Sequence, residues 1–365
     1  MSDELTADQE QFRDVVQRFM QDKSTPQEVR KLMETEAGYD PDTWQQLSEE
    51  VGLAGTHIPE AYGGFGFGAV ELGIVAEQMG RHLYCGPFFA SSVMVGYALT
   101  FAADEAARMR LLPDIATGKT IAALVLDDLN DPNKVGQVLL SMEGCLSGTA
   151  PIVVDAQNAS LLVVLAGEPG EMGLFAVAAD APGVAITPVT GMDSTRKLAA
   201  VNFDDVNAER IGDVSTAALN QIWDHVCVAL CHEMIGGAQH LFETTVDYTK
   251  LRYQFGRPIG SFQALKHRCA DLLMELEFAK AVTHHAAQCL ASGEGEAHIA
   301  SMAKALVSDT YIEAARAAIQ LRGGIGFTWE EDTQLWFKRA KSSEVFMGSP
   351  NIHRERMMTL LEAAP

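Results

Sequence analysis

Two arginines on either side of a predicted turn are the first candidates for chemistry in this sequence. Gly256 can adopt a positive φ and Pro258 prevents helix continuation, so Arg252 and Arg257 flank a turn between two predicted helices. Ser261 is a natural N-cap for the second helix. Guanidinium groups beside the free amides of a helix N-terminus favour the binding of a pyrophosphate. The same pattern also occurs at an ordinary helix joint, so these residues alone leave both interpretations open.

A second candidate is the glycine run Gly323-Gly324-Ile325-Gly326, which follows a predicted amphipathic helix. Glycines at this point allow the backbone to come close to a planar ligand or to a neighbouring helix. A dinucleotide-binding fingerprint needs a strand before the glycines, and this run follows a helix. The glycine run is therefore a candidate for ligand contact of a different kind.

The sequence predicts three sections, a helical one, a β one and a second helical one, and both segments lie in the last of them. The first section has an apolar helical stripe from Phe12 to Met20, and Thr6 with Gln9 predicts a capping box for it. Gly236-Gly237 inside a long predicted helix at 216–252 indicates a kink or a close helix crossing. Between these helical sections, short apolar runs separated by Gly, Asp, Asn and Pro predict a small antiparallel β domain, with strands at 121–126, 151–154, 161–165, 174–178, 184–186 and 199–203. The predicted domains are a helical N-terminal domain at 1–117, a middle β domain at 118–212 and a C-terminal helical bundle at 213–365.

The composition limits the partners. The 365 residues include 49 Asp and Glu against 27 Lys and Arg, and the resulting formal charge of −22 argues against a nucleic-acid partner. An uninterrupted apolar run long enough for a membrane span is missing, and the acidic N-terminus lacks the features of a signal peptide, so we expect a cytoplasmic protein without a membrane partner. The six cysteines are scattered, which predicts free thiols and no metal site.

In order and spacing, the two candidate segments resemble the flavin-contacting signatures of the acyl-CoA dehydrogenase family. The first reads Arg-x-x-Phe-Gly-x-Pro-Ile-x-x-Phe-Gln from Arg252 to Gln263, and the second reads Gln-x-x-Gly-Gly-x-Gly-Phe from Gln320 to Phe327. Further similarity extends over nearly the whole chain, at 58–64 (Ile-Pro-Glu-Ala-Tyr-Gly-Gly), 193–199 (Asp-Ser-Thr-Arg-Lys-Leu-Ala) and 335–341 (Leu-Trp-Phe-Lys-Arg-Ala-Lys).

The resemblance implies a mainly α fold with a central β domain: a helical N-terminal domain, a β-barrel or β-sandwich middle domain and a C-terminal four-helix bundle. It also implies FAD at a dimer interface and, usually, a tetramer made of two such dimers. By position, one group of residues would serve the pyrophosphate and adenosine side of FAD: Arg252, Gln254, Phe262 and Gln263. Phe255 in the same segment is a further predicted cofactor contact. Another group, Gln320, Gly323 and Gly324, would contact the flavin of the neighbouring protomer. Ser349 and Asn351 complete the predicted cofactor contacts.

The family reaction removes an α-proton from an acyl-CoA thioester, and the base is a glutamate that occurs at one of two positions. In this chain the first position holds Tyr253 and the second holds Met347, just before Gly348-Ser349. Methionine cannot accept a proton, and a phenol, with a typical pKa of about 10, keeps its proton at neutral pH. Three other carboxylates are candidates for a displaced base, namely Glu243, Asp247 and Glu344. The catalytic base is therefore unknown from the sequence.

Other departures fall on the substrate half of the predicted site. The family loop over the flavin, Thr-Glu-Pro-x-Ala-Gly-Ser-Asp, corresponds here to 124–130, which read Leu-Val-Leu-Asp-Asp-Leu-Asn. An arginine usually found near the start of the long helix is replaced around Val226-Cys227.

This pattern resembles the heteromeric acyl-CoA dehydrogenases of bacterial steroid degradation, in which two paralogous chains form an α₂β₂ tetramer and one chain lacks a complete active site. The resemblance implies an acyl-CoA substrate, a paralogous partner subunit and an electron-transferring flavoprotein as acceptor. The C-terminal segment around His353 shares this similarity, and we expect that histidine on a helix surface or at an interface. Three alternatives stay open: a homotetrameric dehydrogenase with a displaced base, a flavin monooxygenase or oxidase of the same fold, and a non-catalytic structural subunit.

Overall fold

The computed structural model describes residues 5–128, 138–140, 144–167 and 171–363. Its α-helices are α1 (Ala7–Lys23), α2 (Pro26–Met33), α3 (Pro41–Gln45), α4 (Ala69–Arg81), α5 (Gly96–Ala102), α6 (Glu105–Ala116), α7 (Thr216–Leu251), α8 (Gln263–Ser292), α9 (Ile299–Arg322), α10 (Thr333–Val345) and α11 (Pro350–Glu362). Two π-helical segments, Gln46–Glu50 and Phe89–Val95, lie among the N-terminal helices. The predicted capping box of α1 is confirmed, since Thr6 Oγ1 accepts from the Gln9 amide and the Gln9 side chain accepts from the Thr6 amide.

Among the described residues, eight strands follow the N-terminal helices: β1 (Ala122–Val125), β2 (Val138–Leu140), β3 (Cys145–Val154), β4 (Leu161–Ala166), β5 (Gly173–Ala178), β6 (Val184–Val189), β7 (Leu198–Asn207) and β8 (Glu209–Asp213). They form two four-stranded sheets, in the orders β1-β4-β5-β8 and β2-β3-β7-β6. Residues of both sheets share one apolar core, which includes Val125, Leu162, Phe175, Val201 and Phe203. The middle section is therefore a β-sandwich, as the family resemblance implied.

The prediction of a wholly antiparallel β domain was wrong for one pair of strands. β1 pairs parallel with β4, with Ala122 opposite Leu161. A parallel pair needs a long connection, and here β2 and β3 of the second sheet lie in the chain between β1 and β4. Hydrophobic runs mark the strands but not their direction, so the sequence pattern could not distinguish the two cases.

The chain forms two compact units, one of residues 30–72 and 85–226 and one of residues 1–29, 73–84 and 227–365. The first unit contains the β-sandwich. There the hydroxyl of Ser91, in the π-helical segment, accepts from the Ala122 amide of β1 at 3.0 Å. In the same unit, Arg110 of α6 pairs with Glu209 of β8 at 2.6 Å. The three-domain boundaries at 117 and 212 stay a prediction.

The second unit contains the long C-terminal helices, with α8, α10 and α11 all packed against α9. The Gly236-Gly237 pair marks a close crossing. A Cβ on Gly236 would lie 1.8 Å from the Glu77 carbonyl oxygen of α4, and one on Gly237 would lie 2.3 Å from the Tyr311 hydroxyl of α9. α7 is continuous through both glycines. A buried ion pair between Glu233 and Arg339, at 2.9 Å, joins α7 to α10.

None of the helices in the described part of the chain combines the length and apolarity that a bilayer crossing requires.

Candidate functional site

The first predicted motif forms a tight hairpin at the end of α7. Residues Tyr253–Gln254 pair with Arg257–Pro258 as two short antiparallel strands, β9 and β10. Phe255 and Gly256 form the turn with φ values of +52° and +75°. The hairpin closes where the Ile259 amide donates to the Arg252 carbonyl at 2.8 Å. Phe255 is 90% exposed at the tip, so the hairpin presents an aromatic ring and two guanidinium groups to the outside of this unit.

The same corner contains the start of α8, a helix of 30 residues. Its N-cap is Phe262, which makes no side-chain capping bond. The predicted cap, Ser261, was wrong: this residue lies in a 3₁₀ turn, and its hydroxyl is buried without a hydrogen-bond partner. Arg257 lies 4.0 Å over the Phe262 ring. The amides of the first turn of α8 thus have no side-chain cap, and their positive potential adds to that of the arginines.

The second motif ends α9. Gly323 has a φ of +67°, and a Cβ built on either Gly323 or Gly324 would meet nothing within 4 Å. Gly326, in contrast, packs against α9, since its Cβ would lie 2.9 Å from the Ile319 carbonyl oxygen. Gln320 is exposed. Gly323 and Gly324 therefore leave an open surface that a planar group can approach.

Arg322 holds this glycine turn in place, a role that the sequence reasoning missed. Its side chain is buried, Nε donates to Glu331 Oε1 at 3.0 Å, and Nη1 donates to the Thr245 hydroxyl of α7 at 2.6 Å. The Tyr248 hydroxyl donates to the Arg322 carbonyl oxygen at 3.4 Å, so the end of α7 and the glycine turn share one corner. An arginine inside a glycine motif with an acidic residue nine positions later was the available signal.

Neither family base position supplies a carboxylate. Tyr253 is 63% exposed on the hairpin, whereas Met347 is 1% exposed in the turn between α10 and α11. Met347 has a φ of +58°, which is uncommon for a residue with a side chain. The two positions therefore differ in solvent exposure, and neither of them holds a side chain that can act as the base.

The three carboxylates considered as a displaced base are all engaged in ion pairs. Glu243 pairs with Arg81 at 2.5 Å, Asp247 with Lys250 at 2.8 Å, and Glu344 with Lys341. Burial raises the pKa of Glu243, but hydrogen bonds from Arg81 and Gln239 outweigh it and the pKa is lowered overall. A carboxylate held in this way is a weaker base than a desolvated, unpaired one.

The prediction that His353 lies on a helix surface or at an interface was wrong. Its side chain is 0% exposed, and Nε2 donates to the Met347 carbonyl oxygen at 2.7 Å. Ser349 is the N-cap of α11 without a side-chain capping bond, and Asn351 is exposed in the first turn, where its side-chain oxygen accepts from Arg354 at 3.4 Å. The predicted flavin loop at 124–130 is described only as far as Asp128, and Leu129 and Asn130 lie outside the described residues.

The predicted cofactor residues thus fall into two groups within one unit. The hairpin and the glycine turn share the corner at the end of α7. The turn at Met347 contacts Lys304, in the second turn of α9, while Gly323 follows the last residue of that helix. At 1.5 Å of rise per residue, Lys304 and Gly323 lie about 28 Å apart along α9. The donors at the first corner suit a pyrophosphate, and the open glycine backbone suits a flat ring system, so the residues fit FAD.

Comparison with known proteins found two matching family domains. The acyl-CoA dehydrogenase N-terminal domain matches residues 6–119, and the acyl-CoA dehydrogenase C-terminal domain matches residues 217–361. The acyl-CoA dehydrogenase IpdE2 of Mycobacterium tuberculosis is 34% identical over 345 residues, which cover 94% of each protein. The protein of the same name from Mycolicibacterium smegmatis is 31% identical over 353 residues, covering 97% of this chain and 98% of its own.

A solved structure, a variant of the Tcur3481-Tcur3483 steroid ACAD, is similar with a TM-score of 0.88 and 27% identity, covering 97% of this chain and 98% of that chain. Both the predicted fold class and the predicted cofactor class are confirmed by these matches. Because two domain matches cover most of the chain and relatives above 30% identity span nearly all of it, this protein belongs to the acyl-CoA dehydrogenase family of FAD-dependent oxidoreductases.

Proposed function

We propose that this chain is one subunit of a heteromeric acyl-CoA dehydrogenase, in which a paralogous partner supplies the catalytic base. The observation that carries the proposal is Met347, which occupies a family base position and is buried in a left-handed turn. A thioether has no site for the α-proton of a thioester at neutral pH. The other family position, Tyr253, is an exposed phenol on the hairpin.

The ion pairs support the same reading. A general base must be within reach of the proton and must have a pKa near the working pH. Glu243 is tied to Arg81 and Gln239, and its pKa is lowered rather than raised. Asp247 and Glu344 are each paired with a lysine. A homotetramer that used one of these three carboxylates as its base would have to break that ion pair first.

The part of the site that this chain retains is the cofactor half. FAD, when bound, would accept the β-hydride of the thioester. We assign the pyrophosphate and adenosine side to Arg252, Gln254, Phe255, Phe262 and Gln263, and the contact with a neighbouring flavin to Gln320, Gly323 and Gly324. Ser349 and Asn351 follow the turn that Lys304 contacts, near the start of α9, whereas Gly323 lies at its end. By helix rise, Lys304 and Gly323 are about 28 Å apart. Two such distant groups suit contacts with two different flavins across a subunit interface.

The partner and the substrate class follow from similarity. The related Tcur3481-Tcur3483 protein is named as a steroid ACAD with two different chains. We therefore expect a paralogous chain in a tetramer, a steroid-derived acyl-CoA as the substrate and an electron-transferring flavoprotein as the acceptor. We expect the enzyme to act in the cytoplasm.

The test is an anaerobic absorbance titration of the purified chain with octanoyl-CoA and with a CoA thioester of a steroid side chain. The chain alone is compared with the chain co-purified with a paralogue that carries glutamate at one of the two base positions. We expect the flavin band to bleach only in the complex. Bleaching by the chain alone would overturn the proposal in favour of a displaced base. An unbleached complex that consumes oxygen would instead indicate oxidase or monooxygenase chemistry.

A further inference from the structure

Lys304 is a buried lysine that the dehydrogenation chemistry does not use. Its side chain is 0% exposed, on the face of α9 that packs against α10 and α11. Nζ lies 3.0 Å from the Ser308 hydroxyl, 3.1 Å from the Ser343 carbonyl oxygen, 3.3 Å from that of Glu344 and 3.1 Å from that of Gly348. Its partners are thus the last carbonyls of α10 and the residue before the N-cap of α11.

The contacts of Lys304 suit a charged ammonium group. Carbonyl oxygens only accept, and the Ser308 hydroxyl gives its own proton to the Lys304 carbonyl oxygen at 2.7 Å, so it also accepts from Nζ. The three carbonyl oxygens match the three hydrogens of an ammonium group, whereas a neutral amine has only two. Burial lowers the pKa of Lys304, but the carbonyls at the negative end of α10 stabilise the cation.

The turn that Lys304 contacts is strained and is held from three helices. Met347 lies at a φ of +58°. Its carbonyl oxygen accepts from His353 Nε2 of α11 at 2.7 Å, and the Cys227 thiol of α7 lies 3.7 Å away. A left-handed residue with a side chain persists only where the surroundings determine it. Consecutive carbonyls at 347 and 348 are therefore fixed by buried side chains from outside the turn.

The tautomer of His353 is also determined. Nε2 must donate, because its partner is a carbonyl oxygen, so Nδ1 accepts from the Ser301 hydroxyl at 3.2 Å. The Ser301 oxygen in turn accepts from Arg356 at 2.8 Å. Burial, followed by the charge of Lys304, lowers the pKa of His353 to about 3, which keeps the ring neutral.

We propose that Lys304 is a positioning residue for the cofactor: by fixing the turn at residues 346–349 it sets the place of Ser349 and Asn351 at the start of α11. This inference rests on the proposed contact of these two residues with FAD. Without the ammonium group, three carbonyl oxygens, two of them in buried contacts, lose a donor and the strained turn has one support fewer. The residue then affects flavin binding beyond its effect on folding.

The experiment compares Lys304→Met with Arg339→Met, which breaks the buried ion pair with Glu233 at another point of α10. Both variants lose a buried cation, so both lose thermal stability. The readouts are the melting temperature, the dissociation constant for FAD by fluorescence, and the visible spectrum of the bound flavin. All three are measured on the complex with the partner wherever the chain alone does not retain FAD.

We expect Lys304→Met to weaken FAD binding about tenfold, with a shifted flavin band, while Arg339→Met stays within about twofold at a similar loss of melting temperature. Ser308→Ala, which removes one of four acceptors, replaces Lys304→Met if that variant does not fold, and its expected weakening is about threefold. Equal FAD affinity and spectra in Lys304→Met and the wild type would overturn the inference. So would parallel losses in the two methionine variants, or a wild-type complex that binds no FAD.

The experiments distinguish a failure of the inference about Lys304 from a failure of the proposed function. The proposed function fails if no thioester bleaches the bound flavin, and the dissociation constants still report on Lys304 in that case. The inference alone fails if the complex is bleached normally and Lys304→Met leaves FAD binding unchanged.

Discussion

The thiol of Cys227 lies 3.7 Å from the carbonyl oxygen of Met347. By the family resemblance, we expect Cys227 near the place of the usual arginine of the long helix and Met347 at a base position. Both side chains are buried, at 0% and 1% exposure. The two residues therefore lie in one packed cluster that contains a thiol and a thioether. Burying a lone charge is unfavourable, so side chains without a permanent charge suit this cluster.

Replacing Met347 by alanine tests whether this residue packs or reacts. Deleting a buried methionine side chain creates a cavity, and we expect a loss of about 3 kcal/mol in the free energy of unfolding. Because the partner supplies the base in our proposal, the rate of thioester desaturation by the complex should stay within about threefold. Urea unfolding and stopped-flow flavin bleaching measure the two quantities. A rate that falls more than about a hundredfold in an intact complex would show that residue 347 takes part in the reaction.

A second prediction concerns acid sensitivity in the unit that contains the β-sandwich. His57 is buried with both ring nitrogens unpartnered, and its ring packs 4.3 Å from that of Tyr97. Burial, followed by the charge of His225, lowers the pKa of His57 to about 3. The unfolded chain binds this proton near pH 6.5, so stability is full above that pH and decreases as the pH falls from 6.5 towards 3, by up to about 1.4 kcal/mol per unit.

Replacing His57 by phenylalanine removes the titrating group and keeps a ring in place. Between pH 8 and pH 5 we expect the wild type to lose about 2 kcal/mol more than His57→Phe in urea unfolding. The buried histidines that do not interact with His57 contribute equally to both proteins and cancel in the comparison. Replacing the exposed His267 by glutamine is the matched control, and it should follow the wild type. Equal pH dependence in His57→Phe and the wild type would contradict this account.

Local sequence signals predicted the elements well. Thr6 and Gln9 gave the start of α1, and the glycines at 236 and 237 gave a helix crossing, because capping and close approach depend on a few neighbouring residues. The predicted N-cap of α8 was wrong by one residue. Ser261 belongs to the 3₁₀ turn that follows the hairpin, and the N-cap is Phe262. Here the tertiary contact outweighed the capping preference.

The buried polar contacts of the site were not predictable in the same way. Lys304 donates to the Gly348 carbonyl oxygen, 44 residues away in the sequence, and Arg322 donates to the Thr245 hydroxyl, 77 residues away. From the sequence of one helix alone, each of these side chains would be predicted to lie in solvent. The packing of α7, α10 and α11 against α9 buries the side chains of Lys304 and Arg322 and gives them acceptors. The same packing buries His353, which the sequence alone placed on a helix surface or at an interface.

The glycine turn at the end of α9 separates two effects of adding a methyl group. Gly323 has a positive φ, so Gly323→Ala should lower the free energy of unfolding by about 1 kcal/mol, although nothing lies within 4 Å of the new Cβ. Gly324 has neither a positive φ nor a close neighbour, so Gly324→Ala should leave stability within about 0.5 kcal/mol. If a flavin approaches this backbone, Gly324→Ala should still weaken FAD binding several-fold, measured by fluorescence on the complex. Unchanged affinity would remove the glycine turn from the cofactor site.

The last prediction concerns the anion-binding corner. Arg252 is exposed beside the uncapped start of α8, and a charge-assisted hydrogen bond to a phosphate contributes about 2 kcal/mol. Arg252→Ala should therefore weaken FAD binding about thirtyfold and leave the free energy of unfolding of the FAD-free protein within about 0.5 kcal/mol. The matched control is Lys250→Ala, two residues earlier, whose ammonium pairs with Asp247 at 2.8 Å. Both variants lose one positive charge, so a general electrostatic effect would weaken binding equally in the two. A specific pyrophosphate contact requires that Arg252→Ala alone loses affinity, and equal losses would show that the hairpin attracts the cofactor only by its overall charge.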